Sequence, residues 1–189
     1  MTPKKFTLDY VKRLKTLLDN IDTDSIEKII EQINLTVKNN SKVYLLGNGG
    51  SSATASHMAN DLGAGLRRRG LINIDSISLS DNSPVVTAIA NDIGYDQIFY
   101  MQLYGLLKNE DLVVAISCSG NSPNIINAVK YARKIGSCVI GVTGFDGGKL
   151  KSLSDIEFHV AAKKNEYGLV EDVHMILDHI LYSYFLNKK

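Results

Sequence analysis

"KVYLLGNGGSSATASHMANDLG", residues 42–63, decides the fold. An apolar run through Val43, Tyr44, Leu45 and Leu46 stops at Gly47, Asn48, Gly49 and Gly50, and a stretch without breakers follows. This is the pattern of a buried strand, a tight turn and a helix. Two nucleotide readings of the turn fail. A P-loop needs Lys and then Ser or Thr after its last glycine, so that the lysine reaches the phosphates, whereas Ser51 and Ser52 follow Gly50. The dinucleotide fingerprint needs a third glycine where Ser52 stands and an acid about twenty residues on for the ribose, and the chain there reads Arg67 to Ile72. The turn can hold an oxyanion or a sugar hydroxyl on its backbone N–H groups, or it is a plain strand-to-helix connection with Ser51 as cap.

Outward from this stretch, strands and helices alternate. Short apolar or β-branched runs recur at 42–47, 74–80, 111–117, 137–144 and 155–161, with helical periodicity at 124–136 and 169–187. Such alternation predicts an α/β fold with a five-stranded parallel sheet, doubly wound, and ligands at the carboxyl ends of the strands. Ahead of it, 6–21 and 24–40 read as two amphipathic helices, the second with Asp24 as N-cap and Glu27 three residues on. These helices can cover the sheet or pair with another subunit. Without repeats or linkers, residues 1–189 read as one domain.

Composition excludes several functions. A net charge of +1 gives no electrostatic case for nucleic acid, and the run Arg67-Arg68-Arg69 reads as a solvated loop. No apolar run reaches the ~18 residues of a membrane span, and Met1 to Lys5 leads into polar sequence. Cys118 and Cys138 are too few for a disulfide framework or a cysteine metal cage. A cytoplasmic enzyme or binding module is expected.

Three further features carry chemistry. "ISCSGNSPN", residues 116–124, places Ser117, Ser119 and Ser122 around Gly120, with Pro123 at a helix start. Its hydroxyls and N–H groups can cradle a phosphate monoester without arginine or lysine. His57 and Asp61, four apart on the helix after the first turn, emerge on one face and suit a shared metal or a base held by its neighbour, or form a solvated pair. The last helix adds Glu171, His174, Asp178 and His179, with an expected buried stripe of Val170, Val173, Leu177, Ile180, Leu181 and Tyr184 and His179 beside it. Cys118 reads as a small loop filler, since no base stands near it in sequence.

Together these loops resemble the sugar isomerase (SIS) family, and within it the phosphoheptose isomerases. The resemblance rests on "GNGGSSATASHMANDL", "AIANDIGYDQIF" at 88–99, "SCSGNSPNIINA", "GVTGFDGGKL" at 141–150 and "EDVHMILDHIL" at 171–181. It implies a flavodoxin-like sheet, a homotetramer and active sites at subunit boundaries. It implies phosphate binding by Ser117, Ser119 and Ser122, and substrate contacts from Asn48, Gly49, Gly50, Ser51, Asn91, Asp92, Cys118 and Glu171. It implies zinc held by His57, Asp61, Glu171 and His179, with Asp61 and His179 catalytic. Asp61 stands where such enzymes usually have glutamate, and Glu171 where they usually have glutamine. Both keep oxygen ligands, so a divalent ion still fits, but the base is a methylene shorter or Glu171 replaces it. Glu171 and His179 lie eight residues apart, about 12 Å along a straight helix. They cannot share one ion from one helix, so either Glu171 precedes the helix or the two come from different subunits. The implied activity is isomerisation of sedoheptulose 7-phosphate to the manno-heptose 7-phosphate, feeding lipopolysaccharide, capsule or another surface glycan. A non-catalytic tetrameric scaffold and an isomerase of another sugar phosphate are the alternatives.

Overall fold

The computed structural model describes residues 1–188. Its five strands are β1 (Lys42–Gly47), β2 (Asp75–Ser78), β3 (Leu112–Ser117), β4 (Cys138–Gly144) and β5 (Ile156–Val160), all parallel in the order β2-β1-β3-β4-β5. Because side chains alternate along a strand, the three central strands β1, β3 and β4 feed two cores. Val43, Leu45, Val114, Ile116 and Val142 face one, and Tyr44, Leu46, Val113, Ala115 and Val139 the other. Both faces of these central strands are covered, and they therefore read as nearly continuous apolar runs, whereas the edge strands β2 and β5 carry polar residues.

The first face is covered by α1 (Pro3–Asp19), α2 (Thr23–Lys38), α3 (Gly50–Asn60) and α8 (Tyr167–Asn187), the second by α4 (Ser83–Asp92), α5 (Tyr100–Leu103), α6 (Pro123–Ile135) and α7 (Gly148–Leu153). The connections from β1 and β3 run in opposite directions across the sheet. The crevice at the carboxyl ends of β1 and β3 is the topological switch point at which open α/β sheets bind ligands. The serine loop and the first glycine turn both leave the sheet here.

Several local expectations are corrected. The second helix is capped by Asp22, whose carboxylate accepts from the Ser25 amide at 3.0 Å, and Asp24 falls in the first turn. Helix α3 is capped by Gly49, and Ser51 lies inside the helix, buried. On α8 the buried positions are Val170, Val173, His174, Leu177, Asp178, Leu181 and Phe185, with Leu169 before them. A helix turns about 100° per residue, so a stripe at this spacing takes in two polar residues and turns His179 outward. Tyr184 is exposed and Phe185 takes the core position assigned to it. Glu171 lies within the continuous helix α8, which removes the option that it precedes it.

Candidate active site

The turn after β1 owes its shape to Gly49, whose φ of 54° with ψ of −123° suits a residue without Cβ. It presents Asn48 to the serine loop. The carboxamides of Asn48 and buried Asn124 exchange two hydrogen bonds of 2.9 Å, and the Tyr95 hydroxyl donates to Asn48 Oδ1 at 2.9 Å. Asn124 and Tyr95 carry no signal in the sequence because their role depends on two loops meeting.

The serine loop folds back on itself. Ser117 Oγ accepts from the Gly120 amide at 3.2 Å, and the Gly120 carbonyl accepts from the Leu150 amide at 2.9 Å. Gly120 has φ of 60°, and a Cβ there would stand 1.9 Å from the Gly147 carbonyl oxygen. Ser122 is the N-cap of α6, yet its hydroxyl makes no capping bond, which leaves it free to serve a ligand. Ser117, Ser119 and Ser122 line a hollow of about 180 Å³ together with Asn48, Cys118 and Glu171. Burial pushes the Cys118 thiol up to about 11, so it is no thiolate nucleophile at neutral pH and fills space.

Glu171 closes the hollow from α8. It packs against Gly50 so closely that a Cβ there would stand 2.3 Å from Oε1. Burial raises its carboxyl above the ordinary range, and the charge of Asp172 adds to this. Across Asn48 lies a second hollow of about 120 Å³, lined by Gly49, Ser52, Ser80 and Tyr95 among others. Asn91 and Asp92 stand exposed at the end of α4, and their side chains hydrogen-bond each other at 2.8 Å. Within one chain they do not line either hollow; Tyr95 is the residue of that segment that reaches Asn48.

About three turns beyond Gly50, at the end of α3, the helix opens into a π turn over Asp61–Gly65, a feature common at functional sites. Asp61 Oδ2 lies 3.4 Å from His57 Nε2, and Asp178 Oδ2 lies 3.7 Å from the same nitrogen. The rings of His57 and His179 meet edge to face, with centroids 5.3 Å apart. One donor atom from each of His57, Asp61, Asp178 and His179 lies within 4.8 Å of all the others. Asp178 is fully buried, and neither oxygen has a hydrogen-bond partner among the described residues. Burial pushes its carboxyl up to about 7, with Asp61 adding to the shift and His57 opposing it.

This donor set fits a divalent cation. Donors around a tetrahedral zinc ion stand about 3.4 Å apart, the separation seen between His57 and Asp61. The structure thus brings together His57, Asp61 and His179, and adds Asp178, while Glu171 stands apart at the serine loop. The one sign of Asp178 in the sequence is a carboxylate at a stripe position of an amphipathic helix. His174 is separate, fully buried with Nε2 3.1 Å from the Thr143 carbonyl oxygen, and burial drives its ring down to about 4.

The chain resembles known proteins over nearly its whole length. Residues 8–144 match the SIS domain family. Phosphoheptose isomerase of Aliarcobacter butzleri is 38% identical over 177 residues, 92% of this chain and 91% of the relative. That of Helicobacter pylori strain P12 is 34% identical over 94% of this chain and 91% of the relative. The solved phosphoheptose isomerase of Francisella tularensis superposes with a TM-score of 0.89 at 27% identity, covering 100% of both chains. That of Neisseria gonorrhoeae gives 0.85 at 29% identity, over 96% of this chain and 95% of the other. The sheet order, the serine loop at its switch point and these matches agree: this chain belongs to the SIS domain family and, within it, to the phosphoheptose isomerases.

Proposed function

We infer that this chain is a phosphoheptose isomerase, which converts sedoheptulose 7-phosphate to the manno-heptose 7-phosphate. The observation that carries the reading is the serine-lined hollow at the switch point of a chain that matches phosphoheptose isomerases over 92% of its length. Ser117, Ser119 and Ser122 anchor the phosphate, with Cys118 and Ser51 completing the wall. Asn48, Gly49 and Gly50 meet the sugar, joined by Asn91 and Asp92 from a neighbouring subunit or after loop movement. From Gly50 to His57 the helix advances about 10 Å, a separation that an extended seven-carbon chain can span. Phosphate and reacting carbons therefore occupy the two ends of α3.

The reaction moves two protons. A base takes one from C1 of the ketose, the electron pair of that C–H bond forms the C1–C2 double bond, and the carbonyl oxygen at C2 gains a proton to give the enediol. Return of a proton to C2 and loss of one from the C1 hydroxyl leave the aldehyde at C1. Asp61 and His179 share these transfers, with Glu171 as the alternative carboxylate. Binding energy at the distant phosphate orients C1 and C2. His57, Asp61 and His179 would hold a zinc ion, which when bound supplies Lewis-acid polarisation of the sugar oxygens.

Residues 1–189 act as one domain in a homotetramer with sites at subunit boundaries. Exposed Phe6, Leu8 and Val11 on α1 support such contacts. A phosphorylated sugar does not cross membranes, so the reaction belongs in the cytoplasm, and its product supplies heptose to lipopolysaccharide or capsule. The test is incubation of the purified chain with sedoheptulose 7-phosphate in D2O, followed by proton NMR. Aldose labelled with deuterium at C2 is the expected product; no product and no exchange would overturn the reading.

A further inference from the structure

We propose that Asp178 is a ligand of the metal ion, so that the side-chain shell closes within one subunit on His57, Asp61, Asp178 and His179 and leaves Glu171 to face the substrate. The inference rests on the reading of this cluster as a metal centre.

A carboxylate at this place has no structural use that the fold supplies. Its neighbours along the buried stripe are Leu177, Leu181 and His174, whose ring is engaged by the Thr143 carbonyl, and Asp178 is fully buried with both oxygens unpartnered among the described residues. A buried carboxylate without partners costs several kcal/mol, and an apolar residue would pack here without that cost. Among the described residues, the ion-pairing group in reach is His57, whose Nε2 lies 3.7 Å from Asp178 Oδ2 and 3.4 Å from Asp61 Oδ2. One imidazole nitrogen thus faces two carboxylates, each beyond good hydrogen-bond length. A proton on that nitrogen satisfies one acceptor at best. A divalent cation between the groups satisfies all of them, and two carboxylates balance its charge.

Glu171 is badly placed for the same role within the subunit. It shares the continuous helix α8 with His179, eight residues away, or about 12 Å, and its carboxylate packs against Gly50. Asp178 directly precedes His179 and points inward. The shorter carboxylate at Asp61 and the additional one at Asp178 belong together: what the centre lacks in reach on α3 it regains as an oxygen donor from α8.

The test compares wild type, D178N, D178A and E171Q as purified full chains, stripped with a chelator and reloaded with zinc. Zinc per chain is read by plasma mass spectrometry, and affinity by competition with a chromophoric chelator. Asn keeps the volume and removes the charge, and Ala guards against an amide oxygen that still binds. D178N and D178A are expected to weaken zinc at least about tenfold to a hundredfold, with E171Q within about twofold of wild type. Wild-type affinity in both Asp178 variants overturns the proposal, as does a loss in E171Q equal to theirs. Turnover of sedoheptulose 7-phosphate by the wild type is scored separately. Intact turnover with zinc indifferent to Asp178 overturns this proposal alone, and Asp178-dependent zinc without turnover supports it while overturning the isomerase reading.

Discussion

Replacing Gly120 with alanine should cripple the phosphate anchor while leaving the metal cluster standing. At φ of 60° a side chain in the left-handed region costs about 1–2 kcal/mol. The added Cβ would also stand 1.9 Å from the Gly147 carbonyl oxygen. That oxygen is backbone, so the overlap is relieved only by moving the loop, which costs a further ~1–3 kcal/mol. The sum is about 2–5 kcal/mol, and a chain of this size loses roughly 2–4 °C in Tm per kcal/mol. G105A is the control, since Gly105 has φ of 75° and a Cβ added there would meet nothing within 4 Å. It carries the strain without the collision and should lose only about 1–2 kcal/mol. Movement of Gly120 breaks its bonds to Ser117 and Leu150 and displaces the hydroxyls of the hollow. One lost bond to a charged phosphate is worth about 1.5–3 kcal/mol, so KM for sedoheptulose 7-phosphate should rise at least about tenfold in G120A and stay unchanged in G105A. The assays are thermal melting and initial-rate kinetics on both variants. Equal melting of the two, with wild-type KM in G120A, would refute both the steric reasoning and the assignment of this loop to phosphate.

S122A should raise KM by about ten- to a hundredfold with little change in Tm, because the Ser122 hydroxyl makes no capping bond; kinetics and melting on one preparation check this. D61N should lower kcat by about 10²–10⁴, the usual worth of a positioned acid or base, with circular dichroism to confirm the fold. His174 should make the fold acid-sensitive: its ring titrates at about 4 in the folded chain against an ordinary 6.5. Its contribution is whole above pH 6.5 and is lost as pH falls toward 4, with about 2 kcal/mol gone by pH 5. Urea unfolding at pH 7 and pH 5 should show a fall that H174Q lacks. Cys118, with its thiol held up to about 11, should resist alkylation at pH 8, and C118S should retain activity.

The centre of the sheet was legible because parallel strands buried on both faces leave nearly continuous apolar runs. The edge strands β2 and β5 showed as shorter β-branched or alternating runs, and all five coincide with observed strands to within a residue or two at each end. The serine loop was legible because three hydroxyls around a glycine after the most apolar strand are chemically conspicuous. Helix faces were harder to read. On α8 the apolar residues alone point toward Ile180 and Tyr184, whereas the observed stripe runs through His174 and Asp178 and ends on Phe185. Counting polar residues as exposed therefore turned the helix in the wrong direction and hid Asp178. The π turn at Asp61–Gly65 left no periodic signal, since the residue that widens it looks like any other in a helical run. Ser51 resembled a cap by composition, but Gly49 alone tolerates the backbone angles at that position.

The paired amides of Asn48 and Asn124 fasten the loop after β1 to the helix start after β3. These are the two lips of the crevice, and they come from segments 76 residues apart in sequence. A ligand that arrives at one lip meets a rim already drawn tight, with its ordering entropy spent during folding. Separating the two lips breaks both of these bonds, so the position of either loop constrains that of the other.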